Sequence, residues 1–236
     1  MRDAVLDGFH AVKHAMRFGA EVGPVLTVDR DAVLALVRSH APDLAERFAA
    51  ELVQAPAAAL TELTGLQVHP TGVAGLARRP PQRDVRDLIG AAPVVVLDQP
   101  RHAGNVGAAV RVAAGLGAAA VVTTGTLDPW HPVVLRGSAG LHFALPVQRV
   151  SPQEIAGRCV LAFDAGGEDL RRAEIPDDAL LVFGSERHGV GPALRERADR
   201  VIALPMRPLV SSYNLATSVA MALYHWSLYH RTTGSG

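Results

Sequence analysis

The 236-residue chain has 49% hydrophobic residues, and its 23 lysines and arginines balance 23 aspartates and glutamates, a formal net charge of zero. That length and apolar content bury one large core or two modest ones and exclude a disordered chain, while the balanced charge argues against indiscriminate polyanion binding but allows a local basic patch. No apolar run approaches the roughly 20 residues that span a bilayer, the N-terminus lacks a secretory apolar core, and the single cysteine, Cys159, excludes a disulfide framework or a cysteine metal site. The expectation is a soluble cytoplasmic protein with no membrane segment and no metal.

In chain order, Phe9, Val12, Ala15 and Met16 have helical spacing, Val25 to Val28 suit a short strand, and Asp31 to Val37 and Leu44 to Val53 read as amphipathic helices. These place a small mixed unit over residues 1–76. Residues 77–90 contain Arg78, Arg79, Arg83 and Arg86 around paired prolines and read as a linker. Its arginines suit either RNA phosphate contacts or plain solvation.

From residue 91 to 236 apolar runs alternate with helical segments, which predicts an α/β unit with a parallel sheet. The expected strands are Val94 to Asp98, Ala119 to Thr123, Phe143 to Val147, Val160 to Phe163, Leu180 to Gly184 and Val201 to Pro205. Helices are expected at Val106 to Leu116, Pro132 to Ser138, Pro152 to Arg158 and Asn214 to Tyr229.

Three polar clusters follow expected strands. In Asn105-Val-Gly-Ala-Ala-Val-Arg111, Asn105 is a candidate helix N-cap, Gly107 permits a close approach, and Arg111 lies one turn after Gly107. A capped helix with a surface arginine has the same pattern. The absent G-x-G-x-x-G spacing, and the lack of an acidic residue closing a second strand about 20 residues on, argue against a dinucleotide loop. In Gly184-Ser-Glu-Arg-His-Gly189 the glycines permit a tight loop that exposes backbone groups, Glu186 is the fixed charge, and His188 reads as loop surface. In Leu204-Pro-Met206 leading to Ser211-Ser-Tyr-Asn214, Ser211 or Ser212 is expected to cap the last helix and leave hydroxyls for a ligand.

Together and in this order, the clusters resemble the SpoU (TrmH-like) branch of the SPOUT RNA methyltransferases from about Pro93 to His230. The resemblance implies a C-terminal trefoil knot, S-adenosyl-L-methionine as cofactor, a ribose 2′-hydroxyl of ribosomal or transfer RNA as substrate, and a homodimer; Trp226 and Tyr229 on the apolar last helix suit a dimer contact or plain core packing alike. It also implies that Gly184, Leu204, Met206 and Tyr213 hold the cofactor, with Phe163 and Ser212 nearby. Arg111, Asn105, Glu186, Ser212 and Asn214 would surround the methyl group and the hydroxyl. Tyr213 departs from the leucine usual in the family. Arg136-Gly-Ser138-Ala-Gly140 resembles a family segment near the RNA path, so Arg136 joins Arg78 and Arg79 as a candidate RNA contact. Val68 to Leu76 resembles the close of an L30e-like substrate-recruiting domain. The rival readings are a noncatalytic knotted RNA-binding module and a base methyltransferase of the same fold; a ribosomal resistance enzyme would differ only in its target nucleotide.

Overall fold

Branched apolar runs form the strands of this protein, and segments with one apolar face form its helices. The computed structural model describes residues 3–156, 159–185 and 187–229. They fall into two units, each with its own sheet and core.

The first unit comprises the chain up to Pro81 and the later segment Trp130–Ala144. Strands β1 (Asp3–Asp7), β2 (Val22–Thr27), β3 (Leu52–Gln54) and β4 (Val73–Arg78) join in the order β1-β4-β2-β3. β4 runs antiparallel to both neighbours, and β3 is parallel to β2. Around them lie α1 (Phe9–Arg17), α2 (Arg30–His40), α3 (Ala45–Glu51) and α4 (Ala57–Thr64). Asp29 caps α2 by accepting the Ala32 N–H at 2.9 Å, and α4 stops at Gly65, whose φ of 65° suits a residue without Cβ. Phe9 stacks on Phe48 with ring centroids 5.5 Å apart, within a core that also holds Leu6, Val12, Val25, Val33 and Val37. The expected N-terminal elements are present, except that the helix expected to Val53 ends at Glu51 and gives way to β3; β1, β3, α4 and β4 are additional to them. β4 runs into the stretch read as a linker, and beyond it Val85 and Leu88 are buried in the second unit's core. That stretch is therefore packed at both ends.

The second unit comprises Gln82–Pro129 and the chain from Leu145 onward. It opens with β5 (Val94–Leu97), α5 (Ala103–Gly115) and β6 (Ala120–Thr123). The following segment, placed by sequence order in the same unit, belongs to the first. It forms α6 (Pro132–Gly137) and a tight turn at Leu141–Phe143. The reason is local packing: a Cβ on Gly140 would meet the Ala11 carbonyl oxygen at 2.6 Å, and His14 Nδ1 donates to the Ala139 carbonyl at 2.7 Å.

The second unit continues with β7 (Val147–Arg149), β8 (Cys159–Asp169), β9 (Ala179–Phe183), α7 (Pro192–Arg195), β10 (Arg200–Ala203) and α8 (Leu215–Tyr229). All six strands are parallel, in the order β10-β8-β9-β5-β6-β7. The central strands β5, β6 and β9 are buried along their whole length, as expected for a sheet covered on both faces. Two expectations shift and one open reading is decided. The strand expected from Phe143 begins at Val147, because Leu141–Phe143 is a turn. The helix expected from Pro152 is a short turn, Pro152–Glu154, closed by a Ser151/Glu154 capping box; Arg158 lies outside the described residues. Trp226, open in sequence to a dimer contact or core packing, is core, only 3% exposed, with Nε1 donating to Asp177 at 2.9 Å.

β8 is longer than the expected Val160 to Phe163. Its pairing with β10 jumps from Ala162 opposite Val201 to Glu168 opposite Ile202, so residues 163–167 bulge out with no partner in β10. Gly167 makes the close return possible, since a Cβ there would meet the Val201 backbone at 2.5 Å.

Candidate active site

The carboxyl ends of β8, β9 and β10 open onto one cleft of about 280 Å³, where open parallel sheets place their ligands. The β8 bulge contributes Phe163, Asp164 and Ala165; the loop after β9 contributes Gly184, Ser185, Arg187 and Gly189; and the chain between β10 and α8 contributes Leu204, Met206, Ser211, Ser212 and Tyr213. All five residues expected to hold a cofactor therefore share one cavity.

The loop after β9 is tight because its glycines let backbone meet backbone. Ser185 and Gly189 exchange two N–H···O bonds of 3.0 Å each, and a Cβ on Gly184 would lie 1.8 Å from the Gly189 carbonyl carbon. Arg187 and His188 are exposed, in keeping with the surface reading of the histidine; Glu186 lies outside the described residues. Phe163 and Phe183 stack in the cleft with centroids 4.5 Å apart and ring planes 13° from parallel, an apolar wall for a planar group. Asp164 accepts from the Gly166 N–H at 3.1 Å and from Arg195 at 2.7 Å. The backbone bond first, and the guanidinium with it, hold its carboxyl below the usual carboxylate range.

The chain before α8 is closed by Tyr213, whose hydroxyl donates to the Pro205 carbonyl at 2.9 Å. A leucine could not make this bond. The helix cap differs from expectation. Neither Ser211 nor Ser212 caps α8; Asn214 does, through Oδ1 accepting the Ala216 N–H at 2.9 Å. An N–H can only donate, so the cap fixes the amide's orientation and turns Nδ2 toward Asn105 Oδ1, 3.0 Å away. Asn105 in turn is not a cap. α5 starts after His102, and Asn105 sits in its first turn. The first and third clusters thus meet through two asparagines 109 residues apart.

Arg111 is exposed on α5 and has no hydrogen-bond or ion-pair partner among the described residues; it is not part of the cleft wall. The basic RNA candidates lie in the first unit. Arg78 forms a 3.5 Å ion pair with Glu21. Arg79 donates to the Asp3 carbonyl at 3.1 Å and lies 5.7 Å from the Trp130 ring centroid. Arg136 binds Asp7, whose side chain is 1% exposed, and the Gln67 carbonyl. Its fork is engaged in structure.

Sequence reasoning missed Asp164, Phe183, Arg187 and Ser218 of the cleft wall. The signal for Asp164 was present, since Asp164-Ala-Gly-Gly follows an apolar run as the other clusters do. Among the described residues no group of three or more histidine, cysteine, aspartate or glutamate side chains is arranged to hold a metal, and no helix is long and apolar enough to cross a membrane.

Residues 92–224 match the family described as SpoU rRNA Methylase, more than half of the chain. The chain belongs to the SpoU rRNA methylase family. The SpoU match contains all three clusters and both asparagines. Among its relatives is a 23S rRNA (adenosine(1067)-2′-O)-methyltransferase of Streptomyces laurentii, 32% identical over 166 residues, which are 64% of this chain and 60% of that protein. A 23S rRNA (uridine(2479)-2′-O)-methyltransferase of Streptomyces viridochromogenes is 31% identical over 55% of this chain and 50% of its own length. The chain thus spans between half and two thirds of these two relatives. A third, the 23S rRNA (guanosine(2553)-2′-O)-methyltransferase RlmP of Bacillus subtilis, is 27% identical over 94% of this chain and 87% of its own. Among solved structures, the SpoU methyltransferase AviRb of Streptomyces viridochromogenes, in complex with AdoMet, superposes with a TM-score of 0.78 at 24% identity, covering 99% of this chain and 92% of that one. The α/β fold with its parallel sheet is that of the SpoU methyltransferases.

Proposed function

We propose that this protein is an S-adenosyl-L-methionine-dependent methyltransferase that modifies a ribose 2′-hydroxyl, in ribosomal RNA by preference and otherwise in transfer RNA. The observation that carries the reading is the convergence of the β8 bulge, the glycine loop and the chain before α8 on one cleft, with Asn214 bonding directly to Asn105. The relatives named above for 23S rRNA 2′-O-methylation support ribosomal RNA as substrate class.

The cleft suits an adenosyl sulfonium. Gly184, Leu204, Met206 and Tyr213 would hold it with Phe163 beside them; the aromatic wall accepts a flat or cationic group, and the Ser211 and Ser212 hydroxyls suit a ribose. When bound, S-adenosyl-L-methionine supplies a methyl group already activated by its sulfonium, so the protein has mainly to bind and align. Arg111 grips the phosphate beside the target ribose and orients the 2′-hydroxyl. Its guanidinium keeps its proton, so it assists the departing hydroxyl proton by its charge rather than as a base. Asn105, Asn214, Ser212 and Glu186 complete the reacting site. Positioning of this kind contributes on the order of 7 kcal/mol or more in ideal intramolecular cases.

In this reading residues 1–76 are an L30e-like substrate-recruiting domain, with Arg78 and Arg79 just beyond it as RNA contacts; Arg136, expected among them, is engaged by Asp7 and the Gln67 carbonyl and braces the fold instead. The C-terminal chain is threaded as the family's trefoil knot, and the protein works in the cytoplasm as a homodimer. Tyr224, Leu228 and Tyr229 of α8, each more than half exposed, are the proposed dimer face.

The test is incubation with methyl-labelled S-adenosyl-L-methionine and separate pools of unmodified ribosomal and transfer RNA, followed by digestion to nucleosides. Label in a 2′-O-methylated nucleoside is expected. Label in a base would move the protein to base methylation, and absence of both labelling and cofactor binding would leave a noncatalytic RNA-binding module.

A further inference from the structure

We infer that Asp98 is a positioning residue for methyl transfer: a buried carboxylate that clamps the glycine loop to the turn leading into the Arg111-bearing helix. The inference rests on the methyltransferase reading above. Asp98 follows β5 directly, is 3% exposed, and has no cationic partner among the described residues. Both carboxylate oxygens are instead held by neutral donors. The Thr124 hydroxyl donates to Oδ1 at 2.5 Å, and the Gly191 N–H donates to Oδ2 at 2.7 Å. Thr124 is itself fully buried, and its oxygen accepts the Gln99 N–H at 2.9 Å, which leaves its single proton for Asp98.

The backbone has been made to accommodate this contact. A Cβ on Gly191 would lie 2.9 Å from Asp98 Oδ2, and Gln99, a non-glycine residue, adopts a φ of 50°. A Cβ on Gly125 would come within 3.2 Å of the Gln99 Cα. The Asp98–Gln99 turn is thus wedged between two glycine backbones. A carboxylate kept from water without a cation is a costly way to join three loops, and strained, desolvated groups of this kind concentrate at functional sites.

The function that fits is spacing. The glycine loop is fixed at its start by β9 and the Ser185–Gly189 bridge, and at its end by Gly191 on Asp98. Ser185, Arg187 and Gly189 of that loop form part of the cleft wall. On the other side of Asp98 the chain enters α5, which carries Asn105 and Arg111. Asp98 therefore sets the distance between the wall that holds the methyl donor and the helix that aligns the hydroxyl. It is absent from the cleft wall, so it acts through other residues.

The experiment compares Asp98→Asn, Thr124→Val and the double variant with wild type by thermal unfolding, cofactor titration and single-turnover methyl transfer well below the unfolding midpoint. Asp98→Asn is expected to slow transfer about tenfold to a hundredfold, the scale of a small misplacement of reacting groups, and to weaken cofactor binding by less. Thr124→Val should act in the same direction, and the double variant should be no worse than Asp98→Asn alone, because both remove one clamp. A lowered midpoint with wild-type transfer and wild-type cofactor affinity would mean scaffolding only and would overturn the inference. Should Asp98→Asn fail to fold, Gly191→Ala and Thr124→Val decide: unchanged transfer and affinity in both sinks the clamp. Wild type that binds cofactor yet labels no RNA would defeat the methyltransferase reading instead. The clamp is then judged by titration alone, where undiminished cofactor affinity in Asp98→Asn and Gly191→Ala overturns it.

Discussion

The arginine clamps of the first unit and Arg111 of the second use the same guanidinium group in opposite ways. In the first unit guanidinium groups close the chain on itself: Arg47 donates to the Met16 and Ala20 carbonyls at 2.8 and 2.6 Å, Arg30 to the Leu52 and Ala49 carbonyls, and Arg136 to Asp7. These are backbone carbonyls at or just beyond helix ends and one buried carboxylate, groups whose remaining acceptor capacity is then met by the chain itself. In the second unit Arg149, Arg195 and Arg197 also bond their own chain, but Arg111 has no such partner among the described residues, and the Ser211 and Ser212 hydroxyls are exposed at the cleft. A polar side chain already satisfied by its own chain is poorly available to a ligand. The difference therefore separates scaffold from site more sharply than residue type does.

The largest expected effect is on Arg111. Arg111→Ala should cut methyl transfer by orders of magnitude and leave cofactor affinity nearly intact, as read by single-turnover labelling beside a cofactor titration; equal loss of both would make Arg111 structural and erase the contrast. Next comes Arg136→Ala, which strands the buried Asp7 carboxylate. Denaturant unfolding should show a loss of about 3 kcal/mol, the lower end for a broken buried pair because Arg136 is partly solvated. Cofactor affinity of the folded protein should not change, and a cofactor defect with normal stability would contradict the scaffold assignment.

Tyr213→Phe should have a smaller effect. Removing the hydroxyl that closes the chain onto Pro205 loses a bond worth about 0.5–1.5 kcal/mol, a twofold to roughly tenfold weakening of cofactor binding by titration. Unchanged affinity would show that the ring alone shapes the cleft there. Smallest is an acid effect in each unit, and the two differ in pH window. His14 in the first unit is lowered chiefly by burial, so the unfolded chain takes up its proton first, and stability should fall as pH drops below the ordinary histidine pKa of about 6.5. Asp164 in the second unit is lowered by Gly166 and Arg195, so its contribution is present above the ordinary carboxylate pKa of about 3.9 and is lost as pH falls through its lower folded value. Thermal melts from neutral to acid pH should register the histidine step first. A His14→Gln variant that retains that step would assign it elsewhere.

The strands of the parallel sheet were legible because Val94 to Leu97 and Ala179 to Phe183 are unbroken apolar runs, the pattern of strands buried on both faces. The helices α1, α2, α3, α5, α6 and α8 were legible from the spacing of their apolar residues, although the caps expected for α5 and α8 were not the ones formed. β4 was hidden by the arginines and prolines that follow it, and β1 by its charged ends. At the site, the glycines of 184–189 announced a loop and the order of the three clusters announced a family, since both are properties of local sequence.

Other features depended on partners distant in the chain. The capping role passed from Ser211 or Ser212 to Asn214, and Asn105 became Asn214's partner, because a side chain chooses among donors that only folding brings near. Trp130–Ala144 joined the first unit because Gly140 and Arg136 find Ala11 and Asp7 there. Asp98 reads in sequence as the end of a strand. Its contacts with Thr124 and Gly191, 26 and 93 residues away, exist only where three strand ends meet. Sequence by itself determined periodicity, backbone permission and the inventory of chemical groups, because these act over one or two turns of chain. The tertiary structure alone decided which of those groups are satisfied internally and which face the cleft, because burial and hydrogen-bond partners are set by residues far apart in sequence.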